Sequence, residues 1–501
     1  METKTDERML QFPENQFDDG FFNIGRKNGF LPKFDPAPCV SSQFSPLQDI
    51  LEQMPVYLSV ENKEKGLLGT PGAIVKAVAN LPNFSTTVEE LDTSCEEDMR
   101  QLQVLFRAYA FLSSAYLLEK AYHSQSADGT YGRARNKLPA QLAVPFALVA
   151  EKLEQQPFLE YHYAYSLGNY IKIDPKRGFH WSNLKMACCF SGKKDEQGFI
   201  MLHVTINSFS GPLIGGISDS LAGARKNDSK LLCSGLADAT FAMRKINAIR
   251  RQMWVASKPE NYNDFRVFIM GVAGNKSIFG DGVIYEGVEK YKGEPQTPRG
   301  QTGAQDDIIP TCDIFSGVTN FYPKNKLTEY LYDLRNYRPK VVQEFFTELQ
   351  NQVQALNFHE HVKQNQEAIG WMIKFVQEIF LFRNGHWQFV QRYILQQTRH
   401  ECATGGTPIT SWLPNQLEAV LNQIDELLLR IRKDKEISKE IEEVRMNQGV
   451  RRDVLQRQLE ELRKAEYDSK KVYKINPKGH VDEELGQAEA KESEDLKCPF
   501  H

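Results

Sequence analysis

Apolar residues recur along the chain with helical rather than strand-like spacing. From Met99 to Tyr122 they are three or four positions apart, and the same spacing returns from Leu142 to Leu153. Strict alternation of apolar and polar residues is scarce and brief. The pattern therefore predicts an all-α protein, or one that is mainly so.

The second half of the chain carries the stronger helical pattern. Leu231 to Trp254 and Val341 to Val353 are amphipathic at helical spacing. Ile369 to Ile394 is nearly continuous and is interrupted only by Asn384-Gly385. After Pro414 the residues are mostly charged, but an apolar stripe at helical spacing persists and predicts a further helical segment.

These patterns divide the chain into four predicted parts. Residues 1–190 form a small N-terminal domain with an extended leader, and the polar stretch from Ser191 to Gln197 marks its end. Residues 191–416 form a larger helical domain. A charged helical extension covers 417–470, and a polar, acidic tail at 471–501 is predicted to be disordered.

Composition narrows the class of protein. The 501 residues are 41% hydrophobic and 25% charged, which is an ordinary globular balance, and the net charge of −4 does not favour binding to nucleic acid or to an anionic membrane. The first twenty residues are polar and acidic and do not resemble a secretory signal. The most apolar window, Phe199 to Ile217, is too interrupted to predict a membrane span.

The eight cysteines are dispersed, with no CxxC pair. Their spacing therefore predicts neither a zinc site nor a disulfide framework. Free thiols in a reducing compartment are the expected state, so we predict a cytoplasmic protein.

His386 is the first candidate for chemistry. On a helix it shares a face with Phe389, Val390 and Tyr393. A neutral imidazole among aromatic groups suits an axial ligand of haem iron, because the metal needs a nitrogen donor and the porphyrin needs flat apolar walls. A core histidine bonded to the backbone explains the same pattern, and spacing alone favours that interpretation.

His203 lies in the apolar segment QGFIMLHVTIN, which fits a helix or a strand. As with His386, two interpretations are open: His203 faces a ligand pocket, or it is a core histidine whose ring is hydrogen-bonded within the protein. Tyr262 and Arg266 lie four positions apart, so on a helix they point the same way. A phenol and a guanidinium together form a clamp for a carboxylate, although an isolated arginine is more often on the surface.

A hydroxyl-bearing loop follows at Thr404-Gly405-Gly406-Thr407-Pro408. Its glycines allow it to close over a pocket. It lacks the lysine and hydroxyl ending of a phosphate-binding loop, so the sequence does not predict nucleotide binding.

Taken in order, several segments resemble the indoleamine 2,3-dioxygenase family, from Gly29-Phe30-Leu31-Pro32 to Thr407. The segments that carry the resemblance are Leu138 to Phe146, Leu167 to Tyr170, Gly198-Phe199, Phe265-Arg266, Asp281 to Gly287, Gly300 to Gly303, His386 with Tyr393-Ile394-Leu395, and the Thr-Gly-Gly-Thr loop. The resemblance implies a small N-terminal helical domain over a larger helical domain, 191–416, that holds haem b.

The resemblance also implies roles for individual residues. His386 would ligate the iron, with Phe389 and Tyr393 beside the cofactor. Phe199 and Phe146 would line the distal pocket. Arg266 would bind the carboxylate of an amino-acid substrate, and Thr407 would be the threonine of the mobile loop near that substrate.

The sequence departs from the animal members at two pocket positions. His203 stands where they carry serine, and Asn261 stands where they carry one pocket phenylalanine. His203 and the Tyr262–Arg266 pair instead resemble the related tryptophan 2,3-dioxygenases. The resemblance implies O2 and L-tryptophan or a related indole as reactants, in the kynurenine pathway of tryptophan catabolism.

Two alternatives to tryptophan cleavage stay open at this point. One is a haem enzyme of the same superfamily that acts on a different indole or aromatic amino acid. The other is a non-catalytic haem-binding protein, for which the charged C-terminal segment and the Cys498-Pro499 dipeptide are the support. The sequence does not specify an oligomeric state.

Overall fold

Helices account for 63% of the computed structural model and strands for 6%, which confirms the predicted all-α class. The structure describes residues 15–125, 130–324, 326–397, 404, 409–432 and 438–473. Within these ranges the side chains of 326–327, 409–413, 459 and 461–473 are not described. The predicted disordered tail lies outside the described residues from position 474 onward.

Five α-helices lie before residue 155 in the described ranges 15–125 and 130–154. They are α1 (Ser45–Gln53), α2 (Ala73–Ala79), α3 (Ser85–Glu89), α4 (Glu96–His123) and α5 (Ala140–Lys152). α4 confirms the helix predicted from Met99 to Tyr122 and is buried along most of its length. Acidic residues occupy its first turn and basic residues its last turn, which complements the helix dipole.

The leader is extended but well packed. Phe21, Phe22 and Phe30 have no exposed surface. The amide of Phe30 donates to the hydroxyl of Ser210 at 2.9 Å. A Cβ at Gly29, where φ is +61°, would lie 2.0 Å from the same hydroxyl. Only glycine fits this approach, and it ties the leader to the helix that begins at Ser210.

The central part of the chain forms two long helices and one shorter one. They are α6 (Lys194–Asn207), α7 (Ser210–Lys226) and α8 (Ser229–Arg250). α6 shows that the segment around His203 is helical rather than a strand. Short helices follow at α9 (Met253–Ala256), α10 (Asn263–Arg266), α11 (Lys276–Phe279) and α12 (Ile308–Ser316).

The remaining helices include the longest run of apolar periodicity. They are α13 (Lys326–Asp333), α14 (Lys340–Ala355), α15 (Phe358–Gln364), α16 (Gln366–Val390), α17 (Ile409–Arg430) and α18 (Lys439–Tyr473). α16 runs through Asn384-Gly385 without a break, so these two residues interrupt the apolar pattern but not the helix. A π-helical turn, Gln391–Leu395, continues it.

The strands form small two-stranded pairs. In chain order they are β1 (Tyr57–Ser59), β2 (Glu64–Lys65), β3 (Lys137–Leu138), β4 (Tyr170–Lys172), β5 (Leu184–Met186) and β6 (Ile284–Tyr285). β1 pairs with β2 and β4 with β5 in antiparallel fashion, whereas β3 and β6 are parallel.

The chain divides into two compact units, Met1–Arg445 and Met446–His501. Within the first unit, α17 buries Leu417, Leu421 and Ile424. The second unit, as far as it is described, continues α18. The four-part division inferred from the sequence stays a prediction.

One helical stretch, Lys194–Lys226, has the length and mean hydropathy, 1.3, of a candidate membrane span. In its most apolar window, 78% is buried inside the protein. A core helix of a soluble protein meets the same criteria, so this is weak evidence for a membrane.

Candidate active site

A cavity of about 250 Å³ lies between α6, the end of α8, the segment 301–313 and the second half of α16. Six residues singled out from the sequence line it together: Phe199, His203, Tyr262, His386, Phe389 and Tyr393. The rings other than that of His386 pack on one another, with centroids 5.0 Å apart for Phe199 and Tyr262 and 5.9 Å for Phe389 and Tyr393. The fold therefore assembles one aromatic cavity from three distant segments.

Two other sequence candidates, Phe146 and Arg266, are not among the residues that line the cavity, and a third, Thr407, cannot be placed. Phe146 is buried on α5, where it packs on Phe106 at 5.4 Å and stacks on Tyr109, and it is not among the residues that line the cavity. α5 packs on α4 at this point, so the expected distal-pocket position of Phe146 does not agree with the structure. Thr407 lies outside the described residues. Thr404, three positions earlier, is buried and lines the cavity.

Arg266 is fully buried beside the cavity rather than on its wall. Its Nη1 atom lies 3.4 Å from the hydroxyl of Tyr131, and its guanidinium interacts with the phenol of Tyr262. Burial raises the pKa of Tyr262 to about 12, against the opposing effect of Arg266, so the phenol keeps its proton. Tyr262 is therefore the member of the predicted clamp that faces the cavity.

His386 reaches the cavity from α16. Within the described part of the chain its imidazole has no hydrogen-bond partner, which argues against a core histidine satisfied by the backbone. Burial, followed by the positive charge of Arg250, lowers its pKa to about 4. The ring is therefore neutral at physiological pH and keeps a nitrogen lone pair for a metal.

The surroundings of His386 fit a haem group. Ile206, Ile309, Phe382 and Val390 supply further apolar walls to the cavity. Among the described residues no group of three or more His, Cys, Asp or Glu side chains could hold a metal ion on its own. A single neutral imidazole in an apolar cavity suits an iron whose other ligands come from a porphyrin.

His203 is held by its own helix. Its Nδ1 atom lies 3.0 Å from the carbonyl oxygen of Phe199. Burial lowers the pKa of the imidazole, and Asp306 opposes that shift. With the proton on Nδ1 shared with the carbonyl, Nε2 is a hydrogen-bond acceptor.

Asp306 is a cavity residue that the sequence patterns missed. Its Oδ2 atom accepts hydrogen bonds from the hydroxyl of Tyr161 and from Nδ2 of Asn207, both at 2.7 Å, and Oδ1 accepts the amide of Ile308 at 3.0 Å. The only available signal was its position just after the Gly300 to Gly303 segment.

A buried network of charged side chains lies next to Asp306, at the neighbouring residue Asp307. Nε2 of His162 lies 2.8 Å from Asp307, and Nε of Arg338 donates to the same carboxylate at 2.7 Å. Burial lowers the pKa of His162, but the hydrogen bond to Asp307 and the negative charges of Asp307 and Glu160 outweigh it and raise the pKa to about 9. His162 is thus an imidazolium between two carboxylates.

Arg383 and Asp313 form a second pair at the cavity. Nη1 of Arg383 donates to Asp313 at 3.0 Å, and Nη2 donates to the other carboxylate oxygen and to Gln416. Arg383 stands three positions before His386, which places both on one helix face. That spacing was the signal that could have identified it from the sequence.

The family profile of indoleamine 2,3-dioxygenase matches residues 19–440. The chain belongs to the indoleamine 2,3-dioxygenase family. It is therefore a haem dioxygenase, and its reactants are an indole and O2.

Relatives of this family member come from animals and fungi. It is 24% identical over 318 residues to indoleamine 2,3-dioxygenase 1 of Rattus norvegicus, covering 63% of this chain and 74% of the rat protein. It is 28% identical over 396 residues to an indoleamine 2,3-dioxygenase of Penicillium citrinum, covering 74% and 84%. It is also 24% identical over 384 residues to a protein of Haliotis madaka named myoglobin, covering 74% and 90%.

Proposed function

We propose that this indoleamine 2,3-dioxygenase family member cleaves the C2–C3 bond of the indole ring of L-tryptophan. Both atoms of one O2 molecule enter the product, N-formyl-L-kynurenine, so no other oxidant is consumed. The observation that carries the proposal is one cavity lined by His386, His203, Phe199 and Tyr262. Such a cavity has a metal ligand, a neutral acceptor and aromatic walls suited to an indole.

His386 would hold haem b through its unprotonated ring nitrogen. When bound, haem supplies the iron chemistry that activates O2. The protein supplies orientation and exclusion of water, because the cavity walls are mostly aromatic and aliphatic.

The indole ring is placed by Phe199 and His203. Phe199 packs on its face, and Nε2 of His203 accepts a hydrogen bond from the indole N–H. Because the hydrogen bond to the Phe199 carbonyl holds the imidazole in one orientation, the acceptor has a set direction. This bond fixes the rotation of the ring in its plane and hence which edge of the indole meets the oxygen.

The carboxylate of tryptophan is assigned to the side of the cavity that Tyr262 lines. The phenol of Tyr262 donates one hydrogen bond. Arg266, directly behind Tyr262, contributes a positive charge that is only weakly screened because the side chain is fully buried. Thr407 stays a predicted second contact for the ammonium and carboxylate groups.

A second candidate function is oxygen binding without turnover. The similarity to the Haliotis madaka protein named myoglobin favours it, since that alignment covers 90% of that protein. The polar side chains of the cavity argue against oxygen binding alone, because His203 offers an acceptor and Tyr262 a donor that an indole amino acid would use.

One incubation separates these functions. Reduced, haem-loaded protein is mixed with L-tryptophan and O2, and N-formylkynurenine is followed by absorbance and mass. Product that carries both atoms of 18O2 supports the proposal. A fully haem-loaded protein that binds O2 and gives no product from tryptophan overturns it, and product from another indole instead identifies a different substrate.

We also propose a cytoplasmic location and a place in tryptophan catabolism. The six described cysteines are free, as expected in a reducing compartment. Fractionation of cells that express the full chain, with the soluble fraction assayed for N-formylkynurenine formation, tests both points.

A further inference from the structure

Arg250, the last residue of α8, is a buried cation that forms no ion pair with any carboxylate in the described part of the chain. Its side chain lines the cavity and is only 8% exposed. Nε donates to Oδ1 of Asn247 and Nη2 to the carbonyl of Leu381, each at 3.3 Å. Among the described residues no carboxylate pairs with it, so its charge has only neutral partners.

The guanidinium of Arg250 lies against the residue that precedes His386. A Cβ built on Gly385 would be 1.8 Å from Nη1 and 2.1 Å from Cζ of Arg250. The same guanidinium carbon is 5.5 Å from the ring centre of Phe389 and 5.8 Å from that of Phe382. Arg250 therefore places its charge on the face of α16 that presents His386 to the cavity.

Arg383, on the same helix, provides the contrast. Its charge is matched by Asp313 in a two-bond pair. Burial lowers the pKa of Arg250 to about 10, which still leaves the group protonated at neutral pH. A buried charge without an opposite charge is unfavourable, and buried charges in folded proteins are normally paired. The two arginines thus differ in a way that points to a ligand at Arg250.

We propose that Arg250 binds a carboxylate of the bound ligand on the His386 side of the cavity, and that this carboxylate is a haem propionate. The inference rests on the proposed haem site and goes beyond it by assigning the group that neutralises the propionate. A tryptophan carboxylate could in principle supply the same chemistry. Its predicted place is at Tyr262 and Arg266, whereas Arg250 stands beside the iron ligand.

The test compares haem with its dimethyl ester, which lacks both carboxylates. Each is loaded into the wild-type protein and into Arg250→Met, and its transfer to excess apomyoglobin is followed by absorbance. We expect Arg250→Met to lose haem about 10- to 100-fold faster than wild type, as for a hydrogen-bonded charge pair. The ester should leave both proteins at similar rates, because it has no charge for Arg250 to bind.

Matched variants separate the role of the Arg250 side chain from a general effect of removing an arginine. Arg251→Met removes a neighbouring exposed arginine and should leave haem loss unchanged. Arg250→Lys keeps the charge but not the fork, and should fall between wild type and Arg250→Met. The haem-free Arg250→Met protein should be at least as stable to urea as wild type, because it no longer buries an unpaired cation.

Three results would overturn the inference. Arg250→Met could hold haem as tightly as wild type. It could lose haem and the diester with equal acceleration, which would show a packing role. It could retain haem while its KM for tryptophan rises, which would assign Arg250 to the substrate. If only the proposed function fails, Arg250 still helps to retain haem, but the protein forms no product from tryptophan.

Discussion

The Nδ1 atom of His203 lies 3.0 Å from the carbonyl oxygen of Phe199, one turn earlier on α6. This contact assigns the two ring nitrogens to different tasks. One is occupied by the backbone and the other is left as an acceptor in the cavity.

The first prediction concerns the pH dependence of catalysis. Only neutral His203 can accept the indole N–H, and burial lowers its pKa below the ordinary value of 6.5. As pH falls, the neutral form persists below the pH at which a solvated histidine would gain a proton. We expect kcat/KM to stay level through about pH 6.5 and to fall only in more acidic solution.

A pH profile of kcat/KM for wild type and His203→Ser checks this. The variant should be slower and should lack the acidic fall that His203 causes. An acidic fall in wild type centred at or above about pH 6.5 would contradict a buried neutral acceptor.

The second prediction concerns the carboxylate. Arg266→Ala should lower kcat/KM for L-tryptophan by about 10- to 100-fold, since the buried positive charge that attracts the carboxylate from behind Tyr262 is lost. The haem content should stay normal, because Arg266 does not line the cavity. Tyr262→Phe should have a smaller effect in the same direction.

Tryptamine, which lacks the carboxylate, is the control substrate. Its kcat/KM should change little in either variant. Equal losses for tryptophan and tryptamine would mean that Arg266 supports the fold of the cavity wall and not the substrate carboxylate.

The third prediction concerns the stability of the His162 network. The folded protein holds the proton of His162 up to about pH 9, whereas the unfolded chain releases it near 6.5. The extra stability is therefore complete below about pH 6.5 and declines as pH rises toward 9, by up to about 3 kcal/mol. His162→Gln should remove this dependence.

Urea unfolding of the haem-free proteins at about pH 6 and about pH 9 provides the measurement. The gap in unfolding free energy between wild type and His162→Gln should shrink at the higher pH. His180→Gln, at an exposed position, is the matched control. A gap that grows with pH would show that His162 is neutral in the folded protein.

The fourth prediction concerns Gly385. Alanine normally stabilises a helix interior by about 1 kcal/mol relative to glycine. Here the added methyl group would meet the flexible end of the buried Arg250 side chain, which must shift, so Gly385→Ala should give none of this gain and should destabilise the protein by up to about 1 kcal/mol. In an Arg250→Ala background the same change should become neutral or stabilising.

The four proteins form a double-mutant cycle that urea unfolding can measure. Additive effects of the two substitutions would contradict the close packing of Arg250 on Gly385.

Local spacing predicted the helices well because each long helix repeats its apolar residues over several turns. α4, α5 and α8 confirm the helices expected from Met99, Leu142 and Leu231 onward. The exception is instructive. Gly385 looked like an interruption, yet it lies inside α16 because a side chain from α8 fills the space that glycine leaves.

The site was predictable only in part, because local spacing relates only residues that are close in the sequence. His386, Phe389 and Tyr393 follow one another at helical spacing, and their shared cavity follows from one helix face. Arg250 carries no local signal, and Asp306 only its position after Gly300 to Gly303, because their importance comes from packing against residues far away in the sequence. Phe146 shows the converse, since resemblance implied a pocket position and the packing of α5 on α4 directs the ring elsewhere.

The central claim is that His386 is the iron ligand of a haem group. The most direct measurement is the absorption spectrum of the full chain after hemin is supplied, recorded oxidised, reduced and reduced with CO, for wild type and His386→Ala. We expect a sharp Soret band in wild type that shifts on reduction and again with CO. In a His386→Ala protein of unchanged helix content that band should be lost, or altered and restored by added imidazole. A wild-type protein that stays colourless, or a His386→Ala spectrum identical to that of wild type in all three states, would contradict it.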